Sequence, residues 1–259
     1  MSTSVRTDSS AIASTGAVRA QPASSPRRVA RIAGASYLAM FLLALVGSAL
    51  VVQGVLGADG PRAMWDAVAG SPGQVRLGVA AFLVIVVLDV VIAWALHVLL
   101  RRVDRDVSLA AAWLRLAYSA VLAVAVAQLW LGAQLVDRAT GAPTEVEVAQ
   151  ASSALEAFHS TWMLGLGLFG LHLVLVGRLV TRSRLAPAPL GHLLVAAGTA
   201  YVLDTVLRVV LPDYDVVSGV MLVVVAATSI VGEVWLGLWL LVSRRVGRTA
   251  VSGARALSA

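Results

Sequence analysis

Six stretches of this sequence run for more than twenty residues with hardly a charge in them, at about 32–56, 77–100, 108–136, 157–179, 190–211 and 217–242. A helix rises 1.5 Å per residue, so about twenty residues cross a hydrocarbon core roughly 30 Å thick. Backbone polar groups find no water there, so short-looped apolar spans of this length have to be helices. The composition agrees: 59% of residues are hydrophobic and 13% charged, where a soluble domain carries about a quarter charged. The expected fold is all-α, a polytopic membrane protein of six transmembrane helices.

The connections between the runs set the orientation. The chain has no cysteine and no lysine, so its twenty basic residues are all arginine. With the Ala/Val/Leu/Gly bias, this suggests a high-GC bacterial genome. Arginines 6, 19, 27, 28 and 31 precede the first run, 101, 102 and 105 follow the second, 178, 182 and 184 follow the fourth, and 244, 245, 248 and 255 follow the sixth. That places fifteen on one side. The other side has Arg62 and Arg138 in its loops, with Asp59, Asp66, Asp137, Glu145, Glu147, Asp213 and Asp215. Positive charge stays inside, so both termini are expected in the cytoplasm of a bacterial cell, in its cytoplasmic membrane. The net charge of +6 then belongs to topology and anionic headgroups, and a nucleic-acid partner is excluded. Membrane lipids are the expected partners, with room for a small molecule or another protein.

Residues 1–29, rich in Ser, Ala, Thr and Pro, read as a disordered tail, residues 30–243 as the membrane domain and 244–259 as a second tail. The first run exceeds the length of a signal-peptide core and reads as an uncleaved span. "GADGPRAMWDAVAGSPG" (57–73) suggests a short interfacial helix, and "TEVEVAQASSALEAFHS" (144–160) an acidic helix leading into the fourth span. Trp113, Trp130, Trp162, Trp235 and Trp239 fall mostly toward span ends, as interfacial anchors do.

Ionisable residues inside the runs are the candidate site. Asp89 lies thirteen positions after Arg76 and twelve before Arg101. Glu233 precedes Arg244 by eleven, His172 precedes Arg182 by ten, and Arg115 follows Arg105 by ten. Ten to twelve positions are roughly 15–18 Å of helix, so Asp89, Arg115, His172 and Glu233 share a depth in the cytoplasmic half of the core. An ionised group facing lipid there costs about 2.5–3.5 kcal/mol. Facing inward, the four can neutralise one another, with Arg115 the partner of Asp89 or shared with Glu233. Small residues support inward packing: Ser229, Glu233 and Gly237 form one seam, and Gly165, Gly170 and Gly177 lie near His172. Each even span thus carries one ionisable group at similar height. The odd spans share small residues around a tyrosine, in "RIAGASYL" (31–38), "LRLAYSAVL" (114–122) and "AAGTAYVLD" (196–204). The pattern suggests three repeated helical hairpins. A second polar patch lies in the fifth span, where Asp204 and Arg208 form an i, i+4 pair.

Catalytic motifs are missing. There is no H-E-x-x-H, no G-x-S-x-G and no Gly-rich phosphate loop. A haem would need facing imidazoles at one depth; His97 and His172 are the only pair within the core, and His97 sits nearer the arginines. Asp89, His172 and Glu233 could meet around a metal, but Arg115 among them would repel a cation. The sequence therefore calls for no metal and no cofactor.

Taken in order, "RIAGASYL" (31–38), "VRLGVAAFLVIVVLDVVIAWALHVLLRRVDRDVSLAAAWLRLAYS" (75–119), "FGLHLVLVGRLVTRSRLAPAPLGHLLVAAGTAYVLDTV" (169–206), "LPDY" (211–214) and "GEVWLGLWLL" (232–241) resemble an uncharacterised bacterial membrane family, domain-of-unknown-function family 4386. The resemblance covers about 30–245 and implies a six-span membrane protein with no established activity. In such sequences the positions of Arg31, Arg76, His172, Asp204 and Glu233 fall within recognisable motif words. "RLAPAPLG" departs from the family's usual basic linker between the fourth and fifth spans. Two function classes stay open: a non-enzymatic module binding a ligand, lipid or partner in a polar inner pocket, of which a small transporter is a variant, and an intramembrane enzyme acting on a lipid or hydrophobic metabolite through Asp89, His172 and Glu233.

Overall fold

Prolines and small polar residues open the helices of this chain. Pro26, Pro61 and Pro72 each stand in the first turn of a helix, where the missing N–H costs nothing and the fixed φ favours helix. Asp104 caps another through a 3.0 Å bond from the Val107 N–H, and Thr144 with Glu147 forms a reciprocal capping box. The computed structural model describes residues 25–183 and 185–243. Both expected tails lie outside that range, except that residues 26–29 are already the first turn of a helix.

The elements are α1 (Pro26–Gly47), continued by π-helical turns over Ser48–Leu56, then α2 (Pro61–Gly70), α3 (Pro72–Leu100), α4 (Arg105–Arg138), α5 (Glu145–Ser183), α6 (Ala188–Val210) and α7 (Asp215–Val242). The described residues are all-helical. Six of these stretches, α1 with its π-helical continuation and α3 to α7, are long and apolar enough to cross a membrane. They match the six apolar runs to within a residue at Leu211, which caps α6, and mostly extend past them, because apolarity marks only the part in hydrocarbon. The acidic segment before the fourth run is the start of α5, a single 39-residue helix about 58 Å long. The short helix expected around Trp65 is α2; Trp65 and Val68 are buried, and α2 packs against α5.

Each long helix packs on its neighbours in sequence, and α7 returns to pack on α1, so the six close into a ring. Lipid is as apolar as leucine, which leaves close packing and polar contacts to hold such a ring. Glycines supply the closeness. A β-carbon at Gly34 of α1 would lie 2.6 Å from the Gly237 carbonyl oxygen of α7. Gly170 faces Gly198, and Gly177 faces Gly191, where α5 crosses α6. The face of α7 bearing Ser229, Glu233 and Gly237 is turned toward the ring, with Ser229 and Gly237 buried.

Candidate functional site

Arg115 is the largest fully buried side chain among the described residues, and every arm of its guanidinium is engaged. Nη2 lies 2.6 Å and Nε 2.9 Å from Oδ1 of Asp89. Nη1 donates to the Tyr37 hydroxyl and meets His172 Nε2, both at 3.1 Å, and Nη2 also approaches Met40 Sδ at 3.4 Å. The Tyr37 and Phe169 rings each stand 5.1 Å from the guanidinium carbon, within cation–π range. Residues of α1, α3, α4 and α5 are thereby tied together at one depth.

His172 is held from both sides. Its Nδ1 is 2.8 Å from the Ala111 carbonyl oxygen, which can only accept, while its Nε2 faces an arginine N–H, which can only donate. Those two partners define the neutral ring protonated on Nδ1.

Behind this cluster the ring of helices does not close tightly. A cavity of about 250 Å³ is walled by Asp89 and Glu233, by Tyr37 and by aromatic rings from α3 to α6 including Phe82, Trp162 and Phe169. Both Arg115 nitrogens bind the same oxygen of Asp89, so Oδ2 is buried with no hydrogen-bond partner. Glu233, half-buried, lines the same cavity. Among the described residues it makes no hydrogen bond and no ion pair. Of the four residues expected at this depth, Asp89, Arg115 and His172 are therefore joined directly. Glu233 lines the same cavity as Asp89 but is joined to none of the three by a hydrogen bond or ion pair, and Arg115 and His172 are not on the cavity wall. No three His, Asp or Glu side chains among the described residues are grouped to hold a metal.

The cavity opens sideways. Leu45 on α1 and Ile230 on α7 are wall residues, yet 51% and 45% exposed, and α1 and α7 are the least buried of the six spans. An opening flanked by exposed aliphatic side chains at hydrocarbon depth faces lipid. Ser48, where α1 relaxes into its π-helical turns, lies on the same wall. Such turns cluster at functional positions because they re-aim side chains.

Sequence reasoning passed over the tyrosines as site residues. Tyr37, Tyr118 and Tyr201, the three repeat-marking tyrosines of the odd spans, all line this one cavity. Their recurrence in the odd spans was the signal, and α1, α4 and α6 bring them to one wall. Trp162, expected among the interfacial residues, instead packs edge-on to Phe82 and donates to the Tyr118 hydroxyl at 3.1 Å. Its apolar neighbours on α3 and α4 offer more contact than an interface would.

Toward the other end, Arg208 Nε binds Asp204 Oδ2 at 3.0 Å. The Tyr214 hydroxyl donates to Asp204 Oδ1, and the Tyr214 ring lies 4.2 Å from the Arg208 guanidinium carbon. The pair is thus a triad that also pins the short link between α6 and α7. Arg76 and Asp137, 2.8 Å apart, join α3 to α4 at the same end of the bundle. His97 meets the Ser108 hydroxyl at 3.0 Å.

A closed ring of six apolar helices around a buried ion pair and a lipid-facing cavity defines a multi-pass membrane protein. The chain belongs to the family described as Domain of unknown function (DUF4386), which matches residues 32–243. An uncharacterized protein of the archaeon Archaeoglobus fulgidus is 30% identical over 167 residues, covering 64% of this chain and 83% of that protein. No solved structure matches the chain.

Proposed function

We propose that this protein is a non-enzymatic binding module of the membrane, whose cavity takes a hydrophobic or amphiphilic small molecule from the surrounding lipid. The observation that carries this reading is the pair of carboxyls lining one aromatic cavity, Asp89 with a buried Oδ2 that has no hydrogen-bond partner, and Glu233 with no hydrogen bond or ion pair among the described residues. Buried polar groups that serve structure alone are normally satisfied by one another, and an unsatisfied one in hydrocarbon is costly. Binding is favoured over catalysis because His172, the side chain best suited to proton transfer, is occupied on both nitrogens and lies off the wall. Protein extracted in mild detergent should carry a bound small molecule in native mass spectra. Ala44→Trp, which fills the cavity from α1, should release it without unfolding the chain. Equal occupancy in both proteins would refute the reading.

The same proposal places both termini on the cytoplasmic side of a bacterial cytoplasmic membrane, supported by the fifteen arginines on one side of the spans. Reporter fusions after Arg105 and Arg184 should report a cytoplasmic location, and fusions at Pro143 an external one. A cytoplasmic signal at Pro143 reverses the topology.

A further inference from the structure

The charge and chemistry of the cavity wall carry the ligand class further. Its polar side chains are two carboxyls, Asp89 and Glu233, three tyrosines and two serines, Ser48 and Ser229. No arginine or histidine is on the wall. Arg115, the nearest cation, is 0% exposed and spends its donors on Asp89, Tyr37, His172 and Met40. With His172 neutral, Arg115 balances one carboxylate of the two, and Asp89 takes it. One carboxyl more than Arg115 can balance is left at the cavity wall, with several acceptor oxygens, ringed by π-faces.

We propose that the ligand is a lipophilic ammonium: a protonated amine on a hydrocarbon body, entering from the bilayer between α1 and α7, its head between Glu233 and Asp89 Oδ2. This rests on the binding reading above and goes beyond it by fixing the sign of the head group. Three features converge on that sign. An ammonium supplies donors to the carboxyl oxygens left without one. Its positive charge matches the carboxyl that Arg115 leaves unbalanced. Aromatic walls attract cations through their ring quadrupoles and repel anions. The body of the ligand is set by the apolar remainder of the wall, and by a mouth flanked by Leu45 and Ile230 that admits molecules already dissolved in lipid.

The test keeps the tail constant and changes only the head. n-Octylamine, 1-octanol and octanoate are titrated calorimetrically at neutral pH into phosphatidylcholine nanodiscs holding the full chain, with empty nanodiscs subtracting partition into lipid. Octylamine should bind about tenfold to a hundredfold more tightly than octanol, the ratio that one charge-assisted hydrogen bond supplies, and octanoate should not bind. Glu233→Gln should abolish most of the preference for octylamine over octanol. Octanol binding as tightly as octylamine, or octanoate binding best, overturns the ammonium assignment and leaves the binding module standing. No saturable binding by any of the three overturns both. The native chain alone decides between these results, so the conclusion does not hang on the variant's folding.

Discussion

Replacing Arg115 with leucine should destabilise the protein by about 3–5 kcal/mol, the cost of leaving one partner of a buried ion pair alone. Asp89 would be left without a partner in a site with no exposure and no other donor, and His172 Nε2 would lose its only partner. Asp89→Leu should cost a similar amount, because it strands the guanidinium. The double variant Asp89→Leu/Arg115→Leu should recover most of the loss, since two well-packed apolar side chains often replace a buried pair at little cost. A residue of about 1–3 kcal/mol should persist from the unsatisfied His172 nitrogen, and adding His172→Phe should reduce it. Thermal unfolding in one detergent, arranged as a double-mutant cycle, gives the coupling directly. Additive single losses, with no recovery in the double variant, would show that the pair does not hold α3 to α4.

The parts of this protein that were legible in its sequence are those with a long or rare signal. A span is a signal of twenty residues, and the six runs of apolar residues map onto the six long helices. A charge in hydrocarbon is rare and expensive, so Asp89, Arg115 and His172 could be singled out and assigned a common depth from their distance to the arginine-rich ends. The aromatic half of the cavity was not legible in the same way. Phe82, Phe169 and Trp162 sit in apolar runs where any large hydrophobic residue satisfies the pattern, and nothing local says which face turns inward. The π-helical turns over Ser48–Leu56 are equally silent, because "SALVVQGVL" has the composition of any other span. Tyr214 illustrates a third limit. The i, i+4 rule finds Asp204 with Arg208 on one helix, but the bond from Tyr214 to Asp204 depends on how the chain turns between α6 and α7.

The glycines where α5 crosses α6 carry the second large effect. Gly177→Ala should cost about 1–3 kcal/mol, the usual penalty for overpacking a close contact, and Gly191→Ala should cost about the same. A β-carbon on Gly177 would stand 2.6 Å from the Gly191 carbonyl oxygen and 2.8 Å from the Val195 nitrogen; one on Gly191 would stand 2.8 Å from the Gly177 carbonyl oxygen. These obstacles are backbone, so no rotamer change relieves them, and the helices have to separate. Separation is expensive here because packing, not exclusion of water, holds apolar helices together in lipid. Gly219 of α7 supplies the control. Nothing lies within 4 Å of its added β-carbon, so Gly219→Ala should be neutral or slightly stabilising, as alanine is in a helix interior. Thermal unfolding of the three variants ranks them. Losses at Gly177 and Gly191 no larger than at Gly219 would mean that α5 and α6 do not meet backbone to backbone. Neither Gly177 nor Gly191 lines the cavity, so octanol binding in nanodiscs should persist in both variants as long as the bundle stays folded.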